Sequence, residues 1–153
     1  MPYRTAHIGD IDKICDLISL AIKNMEMHNI FQWDDIYPTR EDFIQDIQKG
    51  ELSVGLSADD IAVIYTINKI CDKEYENGNW SYINCEHRII HRLCVHPQFQ
   101  NQGVAKATLK HIEEELQNMD VAAIRLDVFS QNPHALALYS HCGYEKVGVA
   151  NWR

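Results

Sequence analysis

The run Val95-His-Pro-Gln-Phe-Gln-Asn-Gln-Gly-Val-Ala105 constrains this chain most, because a strand must end and a helix must begin within it. Upstream, Arg88-Ile-Ile-His-Arg-Leu-Cys-Val95 is rich in β-branched and apolar residues and reads as a strand. Downstream, positions 104, 105, 108, 109, 112 and 116 recur at helical spacing, so a helix is expected from Val104 to Gln117. Gly103 stands at its entrance, and no acidic residue occurs from Pro97 to Ile112. Such a loop offers unpaired backbone N–H groups at the positive end of a helix dipole, a setting that suits phosphate or pyrophosphate. Taken alone, a glycine at this junction serves close packing equally well.

The rest of the chain supplies a sheet and further helices. Residues 2 to 7 read as a first strand. Asp10 is placed to cap a helix that carries Ile11, Ile14, Ile18, Ile22 and Met25 on one face and runs to about residue 27. An aromatic loop, Phe31 to Pro38, follows. Thr39 then caps a short helix over 40–49, stopped by Gly50. Strands are expected over 52–56 and 61–70, joined by a tight polar turn at Ser57 to Asp60. Residues 71–86 form a polar, aromatic loop. Ile124, Leu126 and Val128 alternate with Arg125 and Asp127 as a strand. Asn132 caps a helix with Pro133 at its first position, Gly143 ends it, and 144–149 make a last strand. The order β-α-α-β-β-β-α-β-α-β implies an α/β (α+β) fold, with a mixed, mostly antiparallel sheet flanked by helices, in one domain spanning 1–153. Strict alternation in the central strand puts His87, Ile89, His91 and Leu93 on one face and Arg88, Ile90, Arg92 and Cys94 on the other.

Composition narrows the function. A net charge of −8 disfavours a nucleic-acid partner and is compatible with a cationic substrate such as an amine. The five cysteines lack C-x-x-C pairs and the eight histidines form no zinc pattern, so free thiols and no bound metal are expected. No apolar run reaches the roughly 20 residues of a membrane span, and Met-Pro-Tyr-Arg-Thr lacks a signal-peptide core. A cytoplasmic protein without membrane attachment is the expectation.

Three motifs in order then point to a family. Gln100-x-x-Gly103-x-Ala105 resembles the acyl-CoA-binding loop of the GNAT N-acetyltransferases, Leu93-Cys-Val95-His-Pro97 resembles the stretch that precedes it, and Asn132 followed by Leu138-Tyr139-x-x-x-Gly143-Tyr144 resembles the second signature. The resemblance implies transfer of an acetyl group from acetyl-CoA to a primary amine by direct attack. It implies that Gln100, Asn101, Gln102, Gly103, Val104, Ala105 and Lys106 hold the pyrophosphate. Leu93 and Val95 would offer main-chain groups to the pantetheine arm, in a gap where the fourth and fifth strands splay apart. A backbone N–H near Cys94 would serve the thioester carbonyl as oxyanion donor. Tyr139 would protonate the leaving thiolate, Asn132 would cap its helix and bond the arm, and Ala135 would be small to admit the cofactor.

Other roles stay open at the level of residues. An alkylammonium of pKa about 10.4 must lose a proton before attack. His91 is placed two residues before Leu93 for that task, with Glu86 and the acidic 71–86 loop as rivals. Cys94 is a candidate nucleophile, although a buried structural thiol reads better, since no activating partner adjoins it. Trp33, Tyr37 and Glu86 are candidate walls of an acceptor site taking a small amine or a protein amino group. A homodimer is compatible with the sequence. The main alternative is a catalytically silent acyl-CoA-binding sensor on the same fold.

Overall fold

A stripe of apolar residues at Ile11, Ile14, Leu17, Ile18 and Ala21 is buried along one helix, and a sheet covers it. The computed structural model describes residues 1–27, 39–68, 87–100, 102–119 and 123–126. They form strands β1 (Tyr3–Thr5), β2 (Leu52–Ser57), β3 (Asp60–Asn68), β4 (His87–Val95) and β5 (Ala123–Leu126). Helices α1 (Ile11–Met27), α2 (Arg40–Gln48) and α3 (Val104–Asn118) connect them, with short 3-10 turns at Ile8–Asp10 and Pro97–Phe99.

The sheet order is β1-β2-β3-β4-β5, antiparallel throughout except for the parallel β4–β5 pair. The mixed, mostly antiparallel sheet flanked by helices is therefore as the sequence implies. The helix from Asn132 and the strand over 144–149 lie outside the described residues.

Each face of the sheet has its own core. On one, Leu52, Val54, Ile64 and Cys94 pack with the α1 stripe and Phe43 of α2. On the other, Tyr65 and Ile90 pack with Leu109, Ile112 and Leu116 of α3, with Leu93 and Tyr3 against them. Burial on both faces is the main stabilising term, at roughly 25 cal/mol per Å² of apolar surface.

Local signals explain the helix ends. Thr39 Oγ1 accepts from Asp42 N–H at 3.2 Å while Asp42 Oδ2 accepts from Thr39 N–H at 2.7 Å, a reciprocal cap. Gly50 takes φ +70 past the end of α2. Asp10 differs from the expectation of a simple cap for α1. Its carboxylate turns back to Arg4, at 2.7 and 2.9 Å, and to His7 N–H at 2.9 Å, closing the 3-10 turn ahead of α1. The turn at Pro97–Phe99 was not expected from the sequence. Pro97 sets its first residue, and His96 Nδ1 accepts from Gln98 N–H at 3.0 Å.

Candidate functional site

The main-chain direction of β4 follows from one bond. His96 N–H donates to Ala62 C=O at 2.8 Å, and Val63 stands opposite Val95. Antiparallel pairs alternate between bonded and non-bonded, so Ile64–Cys94 is a bonded pair and Val63–Val95 is not. The N–H and C=O of Val95 therefore point away from β3, toward the side on which β5 runs, and so do those of Leu93. Cys94 turns its own N–H to β3, so the outward amides beside it are those of Leu93 and Val95. The β4–β5 ladder among the described residues runs from His87–Ala123 to Ile90–Leu126, and β4 continues beyond it.

That direction depends on a bulge. Ile64 faces Cys94 but Thr66 faces His91, so one residue of β3, Tyr65, is matched by two of β4, Arg92 and Leu93. Arg92 fills the extra place at φ +52. Side-chain alternation breaks there, which corrects the strict two-face expectation. Ile90 and Leu93 share the α3 face, whereas Cys94 lies on the α1/α2 face. His91, opposite Thr66, stands on the α1/α2 face and not with Leu93. Arg92 joins it there, reaching Asp46 of α2 at 2.8 Å. Asp46 Oδ2 also accepts from Thr66 Oγ1 at 3.0 Å. Asp46 escaped the sequence reading. The one sign was two consecutive polar residues, His91 and Arg92, within an apolar strand.

The helix entrance has the geometry the sequence suggests. Gly103 adopts φ 76 and ψ 13, a left-handed conformation natural for glycine, and a Cβ there would meet nothing within 4 Å. The first helical bond is Ala107 N–H to Gly103 C=O at 3.0 Å. The amides of Val104, Ala105 and Lys106 precede it and have no partner within α3. No acidic residue lies in that first turn, and Lys106 is exposed beside it. Gln102 is exposed and bonds Gln98 C=O through Nε2 at 3.3 Å. Gln100 is engaged within the protein. Its Oε1 accepts from Asn24 Nδ2 of α1 at 3.0 Å, its Nε2 lies 3.5 Å from Val95 C=O, and its N–H donates to Pro97 C=O. Its side chain thus shapes the loop that leads into the first turn of α3.

His91 Nε2 lies 3.0 Å from Asn68 Oδ1. With the proton on Nε2, the lone pair resides on Nδ1. The Cys94 thiol is buried in the α1/α2 core, and desolvation pushes it up to about 12, the setting of an inert thiol rather than a nucleophile. Cys15 and Cys94 are free thiols, and no group of three or more metal-ligating side chains occurs among the described residues. None of the described helices is long and apolar enough to cross a membrane. Asn101, Asn132, Ala135, Tyr139, Trp33, Tyr37 and Glu86 lie outside the described residues.

The family model of the acetyltransferase (GNAT) family matches residues 71–144, which take in β4, the loop, α3 and β5. A GNAT-family acetyltransferase from Streptococcus agalactiae shares the fold with a TM-score of 0.85 and 26% identity, over 96% of this chain and 86% of that one. Over residues 71–144 the chain is similar to the GNAT family, and its fold is shared with GNAT acetyltransferases. A ribosomal protein bS18-alanine N-acetyltransferase of Escherichia coli is 35% identical over 57 residues, 37% of this chain and 38% of that relative. The matched stretch thus spans little more than a third of that relative's length. The PaiA N-acetyltransferase of Thermoplasma acidophilum, solved with coenzyme A, has the same fold at a TM-score of 0.73 and 13% identity, over 94% and 89% of the two chains. The matched segment contains both the bulge and the helix entrance.

Proposed function

We propose that this chain is an acetyl-CoA-dependent N-acetyltransferase acting on a primary amine. One observation carries the reading: an acid-free helix entrance, opened by left-handed Gly103, follows directly on a strand whose main chain faces outward at Leu93 and Val95. The donor set fits the group, because the first-turn amides of α3 and Lys106 suit a pyrophosphate and a strand edge suits an amide-rich arm. When bound, acetyl-CoA supplies an acetyl carbon activated as a thioester.

The chain's residues would then divide the work. Val104, Ala105 and Lys106 would hold the diphosphate through main-chain N–H groups, with Gln102 and Asn101 bordering them. Leu93 and Val95 would pair with the arm, and an outward amide beside Cys94 would stabilise the developing oxyanion. Asn132 and Ala135 would flank the arm, and Tyr139 would give its hydroxyl proton to the departing sulfur. His91 would accept the amine's proton, directly or through water. Trp33, Tyr37 and Glu86 would border the acceptor.

The α-amino group of a protein is an acceptor class that the bS18-alanine acetyltransferases bring forward. An α-ammonium of pKa about 7.7–8.0 demands less from a base than an alkylammonium of about 10.4. A side-chain lysine or small amine would lean more heavily on His91.

Thermal unfolding with and without acetyl-CoA tests the reading. A ligand at about 100 times its Kd adds roughly 2.7 kcal/mol, or several degrees for a domain of this size. Gly103→Glu, which strains the left-handed site and places a carboxylate before the amides, is expected to remove the shift. No shift in the wild type would overturn the reading. A shift without thiol release from any amine would favour the silent sensor.

A further inference from the structure

We propose that Asp46 and Arg92 are positioning residues for acetyl-CoA: their ion pair, seated on Thr66, holds the bulge that turns the main chain of Leu93 and Val95 toward the cofactor. This rests on the cofactor reading above.

The phase of β4 is not set by its apolar pattern. Ile89 and Ile90 are both buried, on opposite faces, and Leu93 and Cys94 are likewise apolar and lie in opposite cores. A strand buried on both faces can shift by one residue and still bury apolar side chains. Without the bulge, Leu93 would stand opposite Ile64. Leu93 and Val95 would then direct their N–H and C=O groups to β3, and Cys94 would face outward in their place. A single residue of register thus decides which amides are offered at the edge.

Something specific must select the bulged phase, because Arg92 occupies a left-handed conformation that non-glycine residues disfavour. The Asp46 carboxylate supplies that selection. It grips Arg92 Nη1 on β4 at 2.8 Å and Thr66 Oγ1 on β3 at 3.0 Å, and Thr66 stands directly opposite His91, the residue before the bulge. The side chains of Arg92 and Asp46 are only 15% and 8% exposed. A buried ion pair is a weak source of net stability but a well-attested device for fixing register. Burial raises the Asp46 carboxyl, against the pull of Arg92 and the bond from Thr66, so desolvation outweighs what its partners return.

The test uses the full chain in the Asp46→Asn background, which leaves no orphaned carboxylate and keeps an acceptor for Thr66. Two measurements are made on each variant: cross-strand NOEs at Ile64, and acetyl-CoA affinity by calorimetry. The wild type is expected to show Ile64–Cys94 contacts. Asp46→Asn/Arg92→Ala is expected to show Ile64–Leu93 contacts and to bind about tenfold more weakly or worse, the worth of one or two lost main-chain bonds. Asp46→Asn/Arg92→Gly is expected to keep the Ile64–Cys94 pairing and most of the affinity, since glycine adopts positive φ unaided.

An alanine variant with wild-type pairing and affinity would overturn the proposal, and so would slipped pairing with unchanged affinity. If the alanine variant does not fold, the glycine variant decides, and lost affinity with pairing kept would count against the role. A wild type that binds no acetyl-CoA overturns the cofactor reading and this role with it, a result separate from any change in pairing.

Discussion

Asn24, in the last turn of α1, donates to Gln100 Oε1 at 3.0 Å and so ties that helix to the loop before α3. The other end of the Gln100 amide lies 3.5 Å from Val95 C=O, at the close of β4. One side chain therefore joins three elements around the helix entrance. If Gln100 acts through this bracing, Asn24→Ala and Gln100→Ala should each weaken acetyl-CoA binding by up to about tenfold, matching a net loss near 1 kcal/mol per bond. The double variant should be no worse than Gln100→Ala alone, because both changes remove the same link. Calorimetric titration of the four proteins checks this. Fully additive losses would mean that Gln100 touches the ligand by itself.

The hairpin between β2 and β3 contains a correctable strain. Ser57 pairs with Asp60 across the turn, and Ala58 sits there at φ +53. Hairpin turns of two residues favour glycine at such positions. The left-handed conformation costs an L-residue roughly 1–2 kcal/mol, part of which glycine gives back in unfolded-state entropy. Ala58→Gly is therefore expected to stabilise the fold by about 0.5–1 kcal/mol, which is a few degrees in Tm. Unchanged or lower Tm would show that the turn relaxes around alanine.

Much of this architecture is legible in the residues, and the failures have physical causes. Thr39 with Asp42, Gly50, Gly103 and the apolar spacing of α1 and α3 are local signals, and each element they mark is present within about two residues of its expected ends. The bulge at Arg92 is different in kind. It depends on Asp46, forty-six residues away in sequence, and on Thr66 across the ladder. Period-two reasoning cannot register an inserted residue, so it places His91 on the face of Leu93. Gln100 shows the same limit at the site. Its place in the motif is plain from sequence, but its engagement with Asn24 exists only once α1 lies beside the loop.

Asp10 makes stability depend on pH in the acid range. Hydrogen bonds from Arg4 are the main cause of its low value, with His7 N–H and the nearby charges adding to them against partial burial, and together they bring it from the usual 3.8 to about 2. A depressed carboxyl contributes stability that is fully present above its unfolded pKa and is lost as pH falls through the folded one. The loss should therefore fall between about pH 4 and pH 2. With Arg4 more than a third exposed, solvent screening brings the contribution to about 1–2 kcal/mol. Asp10→Asn is expected to lower the urea midpoint at pH 7, and the gap from wild type should close by pH 2. A gap that stays constant with pH would place its origin elsewhere.

Cys94 separates a structural thiol from a reactive one. Its sulfur is enclosed with Ile64 and the α1 stripe, and burial alone pushes it up to about 12. Thiolate at neutral pH is then far scarcer than for an exposed cysteine. Alkylation of Cys94 by iodoacetamide should proceed only through unfolding, and so follow the denaturant dependence of stability rather than the pH dependence of an exposed thiol. Cys94→Ala is expected to cost about 1 kcal/mol of stability through lost packing. It should leave acetyl transfer within about threefold of wild type, a difference of less than 1 kcal/mol, because the proposed contacts at this strand are made by backbone groups. Rapid labelling of Cys94 in the folded protein, or loss of transfer in a stably folded Cys94→Ala, would instead assign the thiol a chemical part.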